Sequence, residues 1–203
     1  MESVDDGRNM SKHMKQKKLK VGFDFDGVIL YNPARVLRPF LGYLRGKRKK
    51  NGKTTLVFYH PTKPLEKWFW WLAHQSSLFP SSGLDDVRTM VKDNSIDAYI
   101  ITGRSSFLKP DFQSRLRSIG SEKFIKESFI SDSNEQPHEF KAKKIRELGL
   151  DCYVEDNWNI AQYLAKNTKA RIFWLSNVAD YHFDYPDKYL NFSNIVAEIR
   201  KMI

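Results

Sequence analysis

The sequence contains few of the residues that mark secreted, fibrous or disordered proteins. A single cysteine, Cys152, among 203 residues excludes an intramolecular disulfide and fits a reducing compartment. The 10 glycines and 8 prolines are too few for a collagen-like or low-complexity chain. No apolar run reaches the roughly 18 residues of a membrane-spanning helix, since Asp24 and Asp26 interrupt the stretch that begins at Val21. These absences predict a soluble, cytoplasmic protein with a packed core.

Positive charge is concentrated near the amino terminus. The net charge of +10 comes mostly from residues 1–53, which hold 14 Lys or Arg against 5 Asp or Glu, whereas residues 54–203 hold 20 against 19. One basic cluster falls largely within residues 1–18, which we interpret as a flexible basic tail, and the other lies in residues 35–53. Such clusters are explained either by a solvated surface or by a site for phosphate, nucleic acid or an anionic membrane.

Short apolar runs alternate with helical patterns through most of the chain. The runs predict buried strands, and the patterns between them predict helices that cover both faces of a parallel sheet. The sequence therefore predicts an α/β fold with a three-layer, Rossmann-like parallel sheet. The predicted strands are Leu19–Phe25, Ala98–Ile101, Phe124–Ile130, Cys152–Val154 and Arg171–Leu175, and the predicted helices are Phe107–Ile119, His138–Leu148, Ile160–Lys166 and Asn191–Met202.

The interval between the first two predicted strands is too long for one crossover helix. We interpret residues 31–96 as a small inserted cap, so that residues 19–30 and 97–203 form the core. Pro33 can open a helix because its ring fixes a helical φ angle. The elements predicted within the cap are a helix at 33–44, a basic loop at 46–53, a short strand at 55–59 and a helix at 65–74 that carries an aromatic block at 68–71.

Polar side chains follow the predicted strands at one edge of the sheet. Asp24 and Asp26 end the first strand, Thr102 ends the second, and Glu155 and Asp156 end the fourth. Because ligands bind at the carboxyl ends of the strands in open parallel sheets, we expect these groups to converge. Carboxylates that lie so close repel one another unless cations offset them. Oxygen ligands of this kind suit Mg²⁺.

Four segments, in order, resemble the motifs of the haloacid dehalogenase superfamily. They are Val21–Val28 (VGFDFDGV), Tyr99–Arg104 (YIITGR), Lys141, and Tyr153–Asn157 (YVEDN). The match spans about residues 19–175 and leaves the cap unmatched. The resemblance implies a HAD-like fold and a phosphatase activity, most similar to the small-capped phosphatases of the 5'(3')-deoxyribonucleotidase type.

The resemblance also implies roles for the matched residues. Asp24 would be the nucleophile that forms an aspartyl-phosphate. Asp26 would protonate the leaving oxygen and then activate the attacking water. Thr102 would donate a hydrogen bond to the phosphoryl group, and Lys141 would neutralise charge on Asp24 and the phosphate. We favour Lys141 over Lys143 and Lys144 because it stands nearest the start of its predicted helix.

The metal ligands that the resemblance implies are partly ambiguous. Mg²⁺ would be held by the carboxylate of Asp24, the backbone carbonyl of Asp26 and a carboxylate of Glu155 or Asp156, of which we favour Asp156. The family commonly has a further acid shortly after the fourth motif, where this chain has Asn159. The five histidines show no metal-ligand spacing.

Further residues are candidates for substrate binding. Gly103 and Arg104 stand at the second strand end, and Trp68 or Trp71 could close the pocket, although packing within the cap also explains these rings. The resemblance implies a phosphorylated small molecule, with a nucleotide as one candidate, and the basic cap indicates a polyanionic substrate. The alternative is a nucleic-acid-binding protein or a polynucleotide-end phosphatase that uses the basic tail and cap.

Overall fold

The computed structural model describes residues 17–33, 48–50, 53–77, 79–132 and 135–203, and for 48–50 and 53–55 the backbone only. The helix predicted at 33–44 therefore lies outside the described residues from position 34 onward. Half of the basic residues of each cluster also lie outside them, and for those at 48–53 no side chain is described. The strands are β1 Leu19–Phe23, β2 Leu30–Tyr31, β3 Arg48–Lys50, β4 Lys53–Thr55, β5 Phe79–Pro80, β6 Ile96–Thr102, β7 Ile125–Ile130, β8 Cys152–Glu155, β9 Arg171–Leu175 and β10 Lys188–Tyr189. The helices are α1 Pro64–His74, α2 Leu84–Lys92, α3 Lys109–Ser118, α4 Pro137–Leu148, α5 Trp158–Asn167 and α6 Phe192–Arg200.

The main sheet has six strands in the order β10-β9-β8-β1-β6-β7, and every pairing in it is parallel. β1 lies in the middle of the sheet, with Phe23 opposite Ile100 of β6 and Val154 of β8. The chain that leaves β1 therefore emerges between the ends of β6 and β8. This placement puts the turn after β1 at the centre of the carboxyl edge.

Helices cover both faces of the sheet. α2, α3 and α6 supply apolar side chains to one buried cluster, and α4 and α5 supply them to the other. In β1, Val21 and Phe23 are fully buried on the first face. Gly22 points the opposite way, where an added Cβ would stand 2.5 Å from Leu150 Cδ1. The prediction of a three-layer α/β fold is confirmed.

Sequence signals set the ends of two helices beside the sheet edge. α4 begins with Pro137 at its first turn and ends at Gly149, whose φ of 60° is the left-handed conformation that glycine adopts at low cost. α5 begins after Asn157, whose side chain accepts hydrogen bonds from the backbone N–H groups of Asn159 and Ile160. Both helices therefore start at the carboxyl edge of the sheet.

The interval between β1 and β6 is only partly separate from the core. β2 pairs antiparallel with β5, which brings the two ends of residues 32–78 together. α2 follows this pair and packs against the sheet through Leu84, Val87 and Met90. The predicted cap, residues 31–96, thus includes one helix that lies on the core, and its division from the core stays a prediction.

A few elements differ from the sequence-based expectations. The strand expected at 55–59 is wrong, because β4 ends at Thr55 and residues 56–60 form no regular element. The two-residue strand β10, which hydrogen-bonds to β9, carries too short a pattern to be recognised. Over the described part of the chain, every helix is too short or too polar to cross a membrane.

Candidate active site

The turn after β1 contains two acidic side chains that are almost fully buried. Asp24 is 6% exposed and Asp26 is 8% exposed. The N–H of Asp24 donates to the carbonyl oxygen of Val154 at 2.9 Å, so the chain continues in contact with β8 before it turns. Gly27 then reverses the direction with a φ of 86°. The turn holds both carboxyl groups at the edge of the sheet.

Lys141 lies between two of the buried carboxylates. Its Nζ stands 3.0 Å from Asp24 Oδ1 and donates a hydrogen bond to Glu155 Oε2 at 2.7 Å. The other oxygen of Glu155 accepts the N–H of Asn157 at 3.0 Å. Both oxygens of Glu155 therefore have protein donors, and its side chain anchors Lys141.

The electrostatics of this group reflect burial and close charges. Burial raises the pKa of Asp24 well above its usual value, with Glu155, Asp156 and Asp26 reinforcing the shift and Lys141 opposing it. Burial likewise raises the pKa of Glu155, again against the effect of Lys141. Burial disfavours the charged form of Lys141, but Asp24 and Glu155 outweigh it and raise its pKa.

The carboxylates fit a divalent cation. Asp24, Glu155 and Asp156 each offer an oxygen, and these oxygens lie within 4.8 Å of one another. With three carboxylates against the single ammonium of Lys141, the group carries an excess of two formal negative charges. Oxygen-only ligands and this charge suit Mg²⁺. Both Glu155 oxygens have protein donors, and the preference for Asp156 over Glu155 as a metal ligand stays a prediction.

Gly27 makes room for the carboxylate of Asp156. A Cβ at position 27 would stand 1.8 Å from Asp156 Oδ2, which is a direct clash. The positive φ of this residue also disfavours any side chain there. A glycine is therefore needed at this point both for the turn and for the position of Asp156.

Asp26 is held by different partners. Arg104 binds it with two hydrogen bonds, from Nε to Oδ2 at 2.6 Å and from Nη2 to Oδ1 at 2.8 Å. The hydroxyl of Ser77 donates to Oδ1 at 2.7 Å. Burial by itself would raise the pKa of Asp26, but the hydrogen bonds and charge of Arg104 outweigh burial and hold the pKa well below its usual range. The carboxylate form of Asp26 is therefore strongly favoured.

A cavity of about 240 Å³ opens over these side chains. Its floor includes the carboxylates, Lys141 and the residues that follow β6. A second part of the lining, its aromatic wall, comes from the interval before α2 and includes Phe58, Tyr59, His60, Trp70 and His74. The cavity therefore joins a charged floor to an aromatic wall.

The structure differs from the sequence-based expectation about the aromatic block. Trp70 lines the cavity, whereas Trp68 and Trp71 do not and are 52% and 41% exposed. The ring of Trp70 lies near Tyr59, with centroids 6.1 Å apart. The block occupies one helix, and only the packing of that helix decides which ring faces inward. The pattern alone could not distinguish Trp70 from its neighbours.

The other predicted site residues converge at the cavity. Thr102, Gly103 and Arg104 line it, and the Thr102 hydroxyl oxygen accepts the N–H of Arg104 at 3.3 Å. Lys141 is the lysine that the structure places beside Asp24, whereas Lys143 is exposed and Lys144 pairs with Glu147. The catalytic and binding roles of these residues stay predictions.

Several residues at the site carry no signal in the sequence. Ser77 contacts Asp26 across 51 positions of the chain. Asp111, which binds Arg104, lies on α3 in a pattern that reads only as an exposed helix face. Phe58 and Tyr59 stand in a stretch with no regular structure. Only the tertiary fold brings these side chains together.

Comparisons with known proteins concern the fold. No protein-family model matches the chain, and no curated protein matches it. A HAD hydrolase of family IA, variant 3, from Entamoeba histolytica HM-1:IMSS has a TM-score of 0.57 and 13% identity, covering 91% of this chain and 100% of that one. A haloacid dehalogenase-like family protein from Streptococcus pneumoniae has a TM-score of 0.55 and 13% identity, covering 90% and 98%. CbbY from Rhodobacter sphaeroides, solved in complex with phosphate, has a TM-score of 0.55 and 15% identity, covering 88% and 96%. The chain therefore has the fold of the haloacid dehalogenase-like hydrolases.

Proposed function

We propose that this protein is a Mg²⁺-dependent phosphatase that hydrolyses a phosphomonoester through an aspartyl-phosphate on Asp24. The observation that carries the proposal is the position of Lys141, buried between Asp24 and Glu155 beside Asp156 at the carboxyl end of β1. A buried ammonium that contacts a candidate nucleophile can also neutralise the oxygens of a phosphate placed there. The HAD-like fold agrees with this reaction.

In the first step, a carboxylate oxygen of Asp24 attacks the phosphorus atom. A bond forms between Asp24 and phosphorus, and the bond from phosphorus to the leaving oxygen breaks. Lys141 holds Asp24 Oδ1 from one side, and the N–H of Phe25 donates to the same oxygen at 2.8 Å. These contacts fix the position of Oδ1 before the substrate arrives. Thr102 lines the same cavity and can donate its hydroxyl hydrogen to the phosphoryl group.

In the second step, water attacks the phosphorus atom and releases Asp24 as a carboxylate. The proton from this water goes to Asp26. In the first step of the next turnover, Asp26 gives this proton to the leaving oxygen. The ion pair with Arg104 favours the carboxylate form of Asp26. This form is the one that can accept a proton from water.

Asp24 and Asp156, with the backbone carbonyl of Asp26, would hold Mg²⁺. The ion supplies positive charge that stabilises the phosphoryl oxygens as charge develops on them. Gly27 supports this assignment, because it leaves the space in which the Asp156 carboxylate lies. Glu155 acts on the site through Lys141.

The aromatic wall favours a substrate with a planar group beyond its phosphate. Tyr59, Trp70 and His74 line the same cavity as the carboxylates and Lys141, and aromatic rings stack on nucleobases without strong sequence preference. A nucleotide, as in the 5'(3')-deoxyribonucleotidase type, fits this arrangement. The alternative of nucleic-acid binding gains no support from the described residues, since among the basic residues expected to carry it only Lys17, Lys18 and Lys20 have described side chains.

A substrate screen tests the proposal. Purified protein is incubated with p-nitrophenyl phosphate, nucleoside monophosphates and sugar phosphates, with Mg²⁺ or with a chelator, and released phosphate is measured. We expect Mg²⁺-dependent turnover that Asp24→Asn abolishes while its circular dichroism spectrum is unchanged. The exposed Asp132→Asn serves as the matched control. Equal turnover by the Asp24→Asn variant and the wild type would contradict the mechanism.

A further inference from the structure

A closed ring of polar contacts connects Asp26 to parts of the chain outside the cavity. Arg104, which binds Asp26 through Nε and Nη2, donates its remaining Nη1 to Asp111 Oδ2 at 2.6 Å. Arg115, one turn further along α3, donates from Nε to the same Asp111 oxygen at 3.0 Å and from Nη1 to the carbonyl oxygen of Ser77. The hydroxyl of Ser77 returns to Asp26.

Gln75 adds a second connection between the same elements. Its side-chain oxygen accepts Arg115 Nη2 at 2.6 Å, and its side-chain nitrogen donates to Asp111 Oδ1 at 3.2 Å. Gln75 and Ser77 follow directly after α1, the helix whose Trp70 and His74 line the cavity. The ring therefore joins α3 of the core both to Asp26 and to the end of the cavity wall.

The ring restricts the orientation of the Asp26 carboxylate. A carboxylate offers about four lone-pair positions, and contacts within the described part of the chain occupy three of them, two on Oδ1 and one on Oδ2. The planar guanidinium of Arg104 is buried, and it lies over the ring of Phe25 with 5.1 Å to the centroid. Arg104 therefore has little freedom, and the position left on Oδ2 is directed by it.

We propose that Asp111 and Arg115 are positioning residues, which act through Arg104 and Ser77 to aim Asp26 at the water that hydrolyses the aspartyl-phosphate. Asp26 and Arg104 of the ring line the cavity, whereas Asp111 and Arg115 do not belong to the lining. The inference rests on the proposed function, because it concerns the second step of that reaction. In this step the new bond joins water oxygen to phosphorus, the bond from Asp24 to phosphorus breaks, and the water proton passes to Asp26.

The choice of substrate separates this role from a general effect on the fold. Nitrophenolate leaves without a proton, so with p-nitrophenyl phosphate the first step does not need Asp26. The second step needs Asp26 whatever the leaving group was. A misaimed Asp26 should therefore slow only the breakdown of the aspartyl-phosphate.

Rapid-mixing kinetics with p-nitrophenyl phosphate and Mg²⁺ test the proposal on Arg115→Met. We expect a burst of nitrophenolate that approaches one equivalent of enzyme, followed by a steady rate about tenfold to a hundredfold below that of the wild type. The control is Arg117→Met, an exposed arginine on the same helix, which should behave like the wild type. Ser77→Ala removes one hydrogen bond without removing a charge, and it should give the same pattern more weakly.

The outcomes distinguish the proposed phosphatase function from the positioning role of Asp111 and Arg115. Absence of turnover by the wild type on any phosphate ester would overturn the proposed function itself. Normal wild-type turnover with an unchanged steady rate in Arg115→Met and Ser77→Ala would overturn only the positioning role. A loss of burst rate and steady rate in equal proportion would also overturn it, because that pattern indicates general damage to the site.

Discussion

Replacement of Lys141 by methionine should have very different consequences from the same replacement three residues later. The Lys141 side chain is 1% exposed and compensates Asp24 and Glu155, which are buried with it. Removing one partner of a buried ion pair leaves the other charge uncompensated and typically costs about 3–5 kcal/mol. Lys144, on the same helix, pairs with the half-exposed Glu147 and lies over the ring of Phe129, and the loss of these partly exposed contacts should cost about 1 kcal/mol or less.

Urea denaturation without Mg²⁺ measures this difference as the free energy of unfolding. Lys141→Met should lose about 3–5 kcal/mol near neutral pH, whereas Lys144→Met should lose about 1 kcal/mol or less. The deficit should shrink as the pH falls, because protonation of Asp24 and Glu155, whose pKa values burial raises, removes the uncompensated charges. Added Mg²⁺ should also reduce the deficit, since it supplies positive charge at the same carboxylates. Equal stability of the two variants would refute the assignment of Lys141 as the compensating charge.

Three further predictions concern other parts of the molecule. Gly27→Ala should lower the free energy of unfolding by about 1–3 kcal/mol, because residue 27 has a φ of 86°. The same variant should bind Mg²⁺ more weakly in calorimetry, because the new Cβ clashes with Asp156. An unchanged Mg²⁺ affinity would contradict the assignment of Asp156 as a ligand. Burial lowers the pKa of His138 in the folded state. The stability that neutral His138 contributes is therefore complete above the pKa of the unfolded chain and is lost as the pH falls below that value. His138→Phe should lose less stability than the wild type between neutral and mildly acid pH, and an identical pH profile would show that another group is responsible. Trp70→Ala should raise the KM for a nucleotide about tenfold with little effect on kcat, whereas Trp68→Ala, from the exposed face, should not, and equal effects would place the substrate elsewhere.

The sequence contained enough information for the fold and for the floor of the site. β1 reads as an apolar run that ends at two aspartates, and the parallel topology alone requires the ends of β1, β6 and β8 to meet. The convergence of Asp24, Thr102 and Asp156 follows from this rule, because each stands at or just after a strand end. These features can be read from the local sequence, because a buried strand requires a run of apolar residues and a tight turn favours glycine.

The wall of the cavity and the partners of Asp26 could not be predicted in this way. Ser77 and Asp111 contact the site only because tertiary folding brings the segment after α1 and the start of α3 beside Asp26 and Arg104, and neither segment shows this in its pattern. Arg104 was a candidate for substrate binding, but its side chain is committed to Asp26 and Asp111. The role of an ionisable side chain depends on its partners, and these are set by tertiary packing.

Direct detection of the covalent intermediate tests whether Asp24 is the nucleophile. The enzyme is mixed with Mg²⁺ and a phosphate ester that it hydrolyses, and the reaction is quenched with acid. The protein is then treated with borohydride and digested, and the peptide that contains Asp24 is sequenced by mass spectrometry. Reduction of an aspartyl-phosphate yields homoserine, so we expect homoserine at position 24 only when both the ester and Mg²⁺ are present. Phosphate release that continues while position 24 remains aspartate, or modification of another residue instead, would rule out Asp24 as the nucleophile.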